Sequence, residues 1–226
     1  MMSCMNEPAF RRARSAEAKQ ARQDAILEAA RTLGRRHGIR DVTLTDIATA
    51  VDMHKSALLR YFETREQIFL ELTAEGWRQW SSDLRGDLRR RERATPAEIA
   101  AVLAGTLATR PLFCDLLAQA PLNLERNVSM ESVRSFKLTT LGEVELIGAE
   151  LTRLLHLTEQ QILDTISTAT GMAGALWQMA TPGARLRELY TSDPRLGHAI
   201  VEVEPRLARI LTALLTGLGA PSAATA

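Results

Sequence analysis

Residues 42–69 read VTLTDIATAVDMHKSALLRYFETREQIF. Thr43 stands before an apolar-periodic stretch and Asp46 lies three residues on, the spacing at which side chain and backbone cap each other at a helix start. Leu44, Ile47, Ala48 and Val51 recur at i, i+3, i+4 and i+7, so a helix over Leu44–Val51 has one apolar face. Asp52-Met53 breaks the pattern. It resumes over His54–Phe62, with Leu58 and Phe62 inward and Lys55, Ser56, Leu59 and Tyr61 pointing elsewhere. Thr64 and Gln67 repeat the cap spacing, and Ile68, Phe69 and Leu72 carry the inner face of a third helix. Two short helices across a tight turn, the second offering Lys, Ser and Tyr outward, form the pattern of a helix-turn-helix reader.

Upstream, a helix is predicted from about Ala16 to His37, with Ile26, Ala30 and Leu33 on one stripe and Leu27 beside it. Gly38 ends it as a left-handed cap, and Ile39 is placed for the accompanying apolar contact. Across this region Ala25-Ile26-Leu27-Glu28-Ala29-Ala30, Gly38, Thr43, Ile47-Ala48, Leu58, Arg60-Tyr61-Phe62 and Arg65-Glu66 follow one another in a fixed order. On these residues the first third of the chain resembles the DNA-binding domain of the TetR (tetracycline-repressor) family of bacterial regulators. The resemblance implies an all-α chain: a three-helix helix-turn-helix domain, then a larger helical bundle for ligand binding and dimerisation. It implies a transcriptional regulator, most commonly a repressor, that binds operator DNA as a homodimer. Carried over by position, Lys55 and Ser56 face bases, Ala57 and Leu59 share the reading helix, and Thr45, Tyr61 and Arg65 hold phosphates. Three positions depart from the family: Asp52 where Gly is usual, His54 where a small cap is usual, and Leu59 where an aromatic is usual.

Net charge is +1 over 226 residues, with 46% hydrophobic residues. Through Glu66 there are twelve Lys/Arg against nine Asp/Glu, and afterwards sixteen against eighteen. That surplus is small for a nucleic-acid binder, so the helix-turn-helix pattern, not charge, carries the reading. No apolar run is long enough to span a bilayer and no apolar signal core opens the chain, so a cytoplasmic protein without a membrane partner is expected. Cys4 and Cys114 make no CxxC or zinc spacing and are expected to be reduced.

Residues 1–15, with Arg11, Arg12 and Arg14, read as a flexible basic arm and residues 16–66 as the DNA-binding domain. Residues 67–219 read as the regulatory and dimerisation domain, and residues 220–226 as a disordered tail. The helix opening at Arg65 should run to about Arg89 and serve both domains. The run Arg89-Arg90-Arg91-Glu92-Arg93 reads more plainly as a solvated helix end than as a DNA contact. Further helices are expected over 96–109, 112–119, 129–155, 158–180 and 196–218, with a short piece around 186–190. In the helix near 159–180, Ala169, Ala173 and Gly174 would let a partner helix approach closely. The last helix carries the stripe Ile200, Val203, Leu207, Ile210, Leu211 and Leu214. These two helices are the expected homodimer interface.

No Gly-rich phosphate loop, HExxH or GxSxG occurs, and the four histidines lack partners at metal spacing, so no catalytic residue, metal or cofactor is expected. Trp80, Phe113, Leu117 and Phe136, with Met172, Trp177 and the polar Asn123, are candidates for a pocket that takes an unknown, mainly apolar effector. Residues of these types at helical spacing are also ordinary core. The rival to the regulator reading is an all-helical interaction protein or small enzyme that retains the helix-turn-helix scaffold.

Overall fold

A computed structural model describes the backbone of residues 7–219 and the side chains from Ala16 to Gly219. Ten helices follow in order: α1 Glu7–His37, α2 Leu44–Ala50, α3 Lys55–Leu58, α4 Arg65–Arg89, α5 Pro96–Ala108, α6 Pro111–Gln119, α7 Met130–Leu155, α8 Glu159–Ala180, α9 Ala184–Ser192 and α10 Val203–Gly219. Short 3₁₀ turns at Leu124–Arg126 and Pro194–Ala199 complete the path, and no strand occurs among the described residues. Of the expected arm, residues 1–6 lie outside the described residues, as does the expected tail 220–226. Residues 7–15, expected to be irregular, are the first turns of α1. Ala16–Ala21 beyond them is fully exposed, so this part of the helix buries no stripe and leaves no apolar periodicity to read.

The caps are local and fall where the sequence puts them. Thr43 and Asp46 form a reciprocal capping box at α2, as do Thr158 and Gln161 at α8, while Thr64 accepts the Gln67 N–H at α4. Gly38 closes α1 at φ 82°. Ile39 then turns back into the core under Gly34, where a Cβ would meet its Cδ1 at 3.0 Å. The final helix begins at Val203 rather than Leu196, because Pro194–Ala199 takes the tighter 3₁₀ form.

Helix α4 has 25 residues, which at 1.5 Å per residue is about 37 Å. Its first turns bury Ile68, Phe69 and Leu72 with the helix-turn-helix; its later turns bury Trp77, Trp80, Leu84 and Leu88 in the second domain. Its far end is closed by α7, where Arg153 donates to the carbonyls of Leu88 and Arg91. Glu150 bridges Arg89 at 2.8 Å and Arg153 at 2.9 Å, and the Arg89 hydrogen bond leads in holding its carboxyl below the usual range. The basic run therefore belongs to this helix end, a full α4 length from the helix-turn-helix. Helix α7 lies along α4, α6 crosses α8, and α10 packs on α5 and α8.

Two ties join the reading domain to the bundle. Asp115 of α6, 8% exposed, accepts the Ile39 N–H at 2.9 Å and the Gln178 amide at 2.8 Å. Glu63 accepts the Ser129 N–H at 2.9 Å and the Ser132 hydroxyl at 2.8 Å, at the first turn of α7.

Candidate DNA-reading surface and the cleft behind it

Helix α3 is a single turn followed by further turns to Phe62, shorter than the expected His54–Phe62 span. A helix this short has no stability of its own, and its N-cap His54 makes no side-chain cap bond. Loss of a cap costs about 1 kcal/mol, whereas full burial of a leucine contributes about 2–3 kcal/mol. Leu58, at 0% exposure, therefore fixes the turn from beneath. Asp52 in the preceding turn takes φ 51°, the left-handed backbone for which glycine is usual and aspartate is tolerated.

This packing leaves Lys55, Ser56 and Leu59 exposed, with Ala57 and Tyr61 half-buried beside them and Thr45 exposed on α2. Arg65 is half-buried as well, but its side chain is engaged within the fold. Its Nε and one terminal nitrogen donate to the carbonyls of Val42 and Ile39, and the other pairs with Glu66 at 2.9 Å. The guanidinium also stands 4.7 Å from the centre of the Phe69 ring. Each nitrogen of the fork thus helps hold the α1–α2 loop onto the start of α4, while two of its five N–H groups are left over by these bonds. Arg60, not among the expected contacts, is exposed next to Leu59 and has no ion-pair partner among the described residues.

The seven pocket candidates do not converge. Trp80 is wholly buried, gives its indole N–H to the Thr106 hydroxyl at 3.0 Å and packs edge-on to Trp77 at 5.4 Å. Phe136 borders a separate hollow of 10 Å³ between α4 and α7, room for one water at most. Asn123 is exposed and donates to Gln119, while Leu117 and Met172 pack against the core. Only Phe113 and Trp177 reach a cavity of useful size. It is a cleft of 810 Å³ between the end of α1, the Gly38–Asp41 loop, α4, α6 and α8. Gly76 lets the Phe113 ring pack directly on α4, since a Cβ there would meet that ring at 2.4 Å. Cys114 next to it is buried away from reagents, its thiol pushed up to about 12 by burial.

Residues 26–72 match the family model for bacterial regulatory proteins of the tetR family, and residues 74–222 match the tetracyclin repressor-like C-terminal domain. The chain belongs to the TetR family. No curated protein matches it in sequence. Solved TetR-family folds resemble it at low identity. The fatty acid degradation regulator FadR of Bacillus halodurans is 15% identical, with a TM-score of 0.54 over 86% of this chain and 94% of that one. The Bacillus subtilis FadR in complex with stearoyl-CoA is 15% identical, with a TM-score of 0.52 over 84% and 96%. The Thermus thermophilus FadR, a repressor in complex with lauroyl-CoA, is 20% identical, with a TM-score of 0.50 over 90% and 98%.

Within this TetR-family chain, the small residues of α8 are already used. Ala169 and Ala173 are wholly buried, and a Cβ on Gly174 would lie 2.8 Å from the Ala118 backbone nitrogen. All three are covered within the chain, Gly174 by α6, which corrects the reason given for a dimer there. Of the α10 stripe, Leu207 and Leu211 are buried together with Leu215, whereas Val203, Ile210 and Leu214 are half-buried and Ile200 is exposed. The face of α8 left to solvent is the i, i+4 row Leu163, Ser167, Gly171, Ala175 and Met179. Sequence reasoning also passed over Asp115. A single carboxylate inside the apolar run Leu112-Phe113-Cys114-Asp115-Leu116-Leu117 was the available signal, because a buried charge needs donors.

Proposed function

We propose that this TetR-family chain is a sequence-specific transcriptional regulator, a repressor that holds a palindromic operator as a homodimer and leaves it when a small ligand with a large apolar part binds. Thr45, Lys55, Ser56, Ala57, Leu59 and Tyr61 form the contact surface, with Arg60 added at its edge. The observation that carries this reading is the exposed Lys55-Ser56 pair on a turn fixed from below by Leu58. A helix start that presents a cation and a hydroxyl can donate to base edges in the major groove. The acyl-CoA complexes of the Bacillus subtilis and Thermus thermophilus regulators support an apolar effector.

The homodimer is proposed to use the open row of α8 together with the outer face of α10. Selection of bound sequences from random DNA with the purified chain should recover a two-fold symmetric site, and that site should be retarded in a gel. A pool with no enriched sequence would favour the rival reading, an interaction protein or small enzyme on the same scaffold. Gly171→Glu should shift sedimentation to the monomer and abolish retardation with it, while helicity stays unchanged. A Gly171→Glu dimer would place the interface elsewhere.

A further inference from the structure

We propose that the cleft between the α1–α2 loop and helices α4, α6 and α8 is an effector site for an amphipathic anion, an apolar body with one carboxylate, phosphate or sulfonate head, and that it signals to the reading domain through Asp115. This deepens the ligand-responsive reading above and rests on it.

Size and lining come first. A volume of 810 Å³ suits a small organic ligand. Leu72, Leu112, Phe113 and Trp177 give it an apolar wall. Charge then selects the head. The carboxylates of the cleft are largely occupied: Glu75 holds Arg31 at 2.6 Å and Gln79 at 3.1 Å, and Asp115 holds Ile39 and Gln178. Arg110 is paired with Asp83. Arg35, Arg36 and Arg40 remain on the rim with no ion-pair partner among the described residues, three cations against Asp41 and against Asp115, whose two donors are neutral and leave its charge in place. A neutral apolar ligand would leave these cations unused, whereas an anionic head is matched by them, and guanidinium groups suit carboxylate and phosphate alike.

Position supplies the signal. One wall of the cleft is the Gly38–Asp41 loop of the reading domain and the other is α6 and α8 of the bundle. The Asp115–Ile39 hydrogen bond crosses between them. The carbonyls of Ile39 and Val42 are in turn held by Arg65, immediately before the Thr43 cap of α2. A body wedged between the walls strains this chain of bonds and moves α2 relative to the bundle. Because the ligand favours the displaced form, operator DNA must weaken ligand binding by the same factor that the ligand weakens DNA binding.

The probes are 8-anilinonaphthalene-1-sulfonate and its uncharged relative N-phenyl-1-naphthylamine, titrated by fluorescence into the full chain. The sulfonate should bind at least tenfold more tightly than the amine, and Arg36→Gln/Arg40→Gln should remove that advantage while leaving the amine's affinity in place. Equal binding of both probes, or a double variant that moves neither, overturns the anion site. Displacement of the sulfonate by decanoate but not decyl phosphate, or the reverse, identifies the head, and decanol should compete with neither. Failure of both anions to displace it also counts against the site. None of these arms uses DNA, so they stand apart from any failure of the regulator reading.

The coupling is read separately. Selected operator DNA should weaken sulfonate binding by wild type, and in Asp115→Ala, which has no acceptor for the Ile39 N–H, that ratio should collapse to one. A ratio that persists in Asp115→Ala overturns the signalling route. A double variant that loses DNA affinity while the probe advantage survives would assign the arginines to phosphates and overturn the site.

Discussion

Arg65 and Lys55 were expected to share one surface, and their partners divide them. Lys55 is exposed and makes no ion pair among the described residues, whereas the three guanidinium nitrogens of Arg65 are committed to Val42, Ile39 and Glu66. Removing a cation that satisfies buried carbonyls costs about 2–4 kcal/mol. Arg65→Ala should therefore lower the melting temperature and weaken binding to every operator variant, with the salt dependence of binding unchanged. Arg65→Lys should not restore it, since a single ammonium cannot span the fork. Lys55→Ala should keep the melting temperature and alter base preference at one position of each half-site. If Arg65→Ala instead melted like wild type and flattened the salt dependence, its guanidinium would be on a phosphate after all.

At the scale of elements, what was legible was local. The caps at Thr43, Thr64 and Thr158 lie within four residues of their partners, and Gly38 needs only its own backbone to mark an end. Periodicity located the inner faces of α2 and α4 for the same reason. It could not say which neighbour a face meets. Ala169, Ala173 and Gly174 announced a close crossing, and at Gly174 the crossing is with α6, whose sequence lies more than 50 residues upstream. Trp80 and Phe136 are aromatic and apolar, but Trp80 is wholly buried behind Phe113, 6.1 Å from its ring, and Phe136 borders the separate hollow between α4 and α7, so neither lines the cleft that Phe113 and Trp177 reach. Two glycines of α8 make the distinction measurable. Glycine inside a helix costs about 1 kcal/mol relative to alanine, while forcing a methyl into a filled contact costs about 1–3 kcal/mol. Gly171 has nothing within 4 Å of its missing Cβ, so Gly171→Ala should stabilise the chain by up to about 1 kcal/mol. Gly174 has the Ala118 backbone at 2.8 Å, which cannot step aside as a side chain would, so Gly174→Ala should destabilise it by about 1–2 kcal/mol. Thermal denaturation of the two variants should move in opposite directions; a common direction would place α6 and α8 at some other separation.

Across the whole molecule, beside the packing of Leu112 against Gly34 and the Arg31–Glu75 pair, the reading domain is held to the bundle by three things: the shared helix α4, the Asp115–Ile39 bond and the Glu63 bonds to Ser129 and Ser132. The first is stiff and about 37 Å long, so small displacements at its bundle end are carried to the helix-turn-helix. The other two flank that domain and can be released one at a time. Glu63 is the tie that pH reaches. The backbone N–H of Ser129, then the Ser132 hydroxyl, hold its carboxyl below the usual 4.5. Because the folded value is the lower one, the tie is fully present above the unfolded value and is lost as pH falls through the folded value. At neutral pH it is intact, and its release belongs to the acid range below about pH 4.5. Amide exchange at Ser129 reads it directly. Protection of that N–H in wild type should exceed that in Glu63→Gln at pH 6, and the gap should close as pH falls through the lowered folded value of Glu63, while protection at Ile39, bonded to Asp115, keeps its own course. A gap that stayed open at the lowest pH would mean that Ser129 is protected by the α7 cap alone, and that the bundle holds the reading domain from the Asp115 side only.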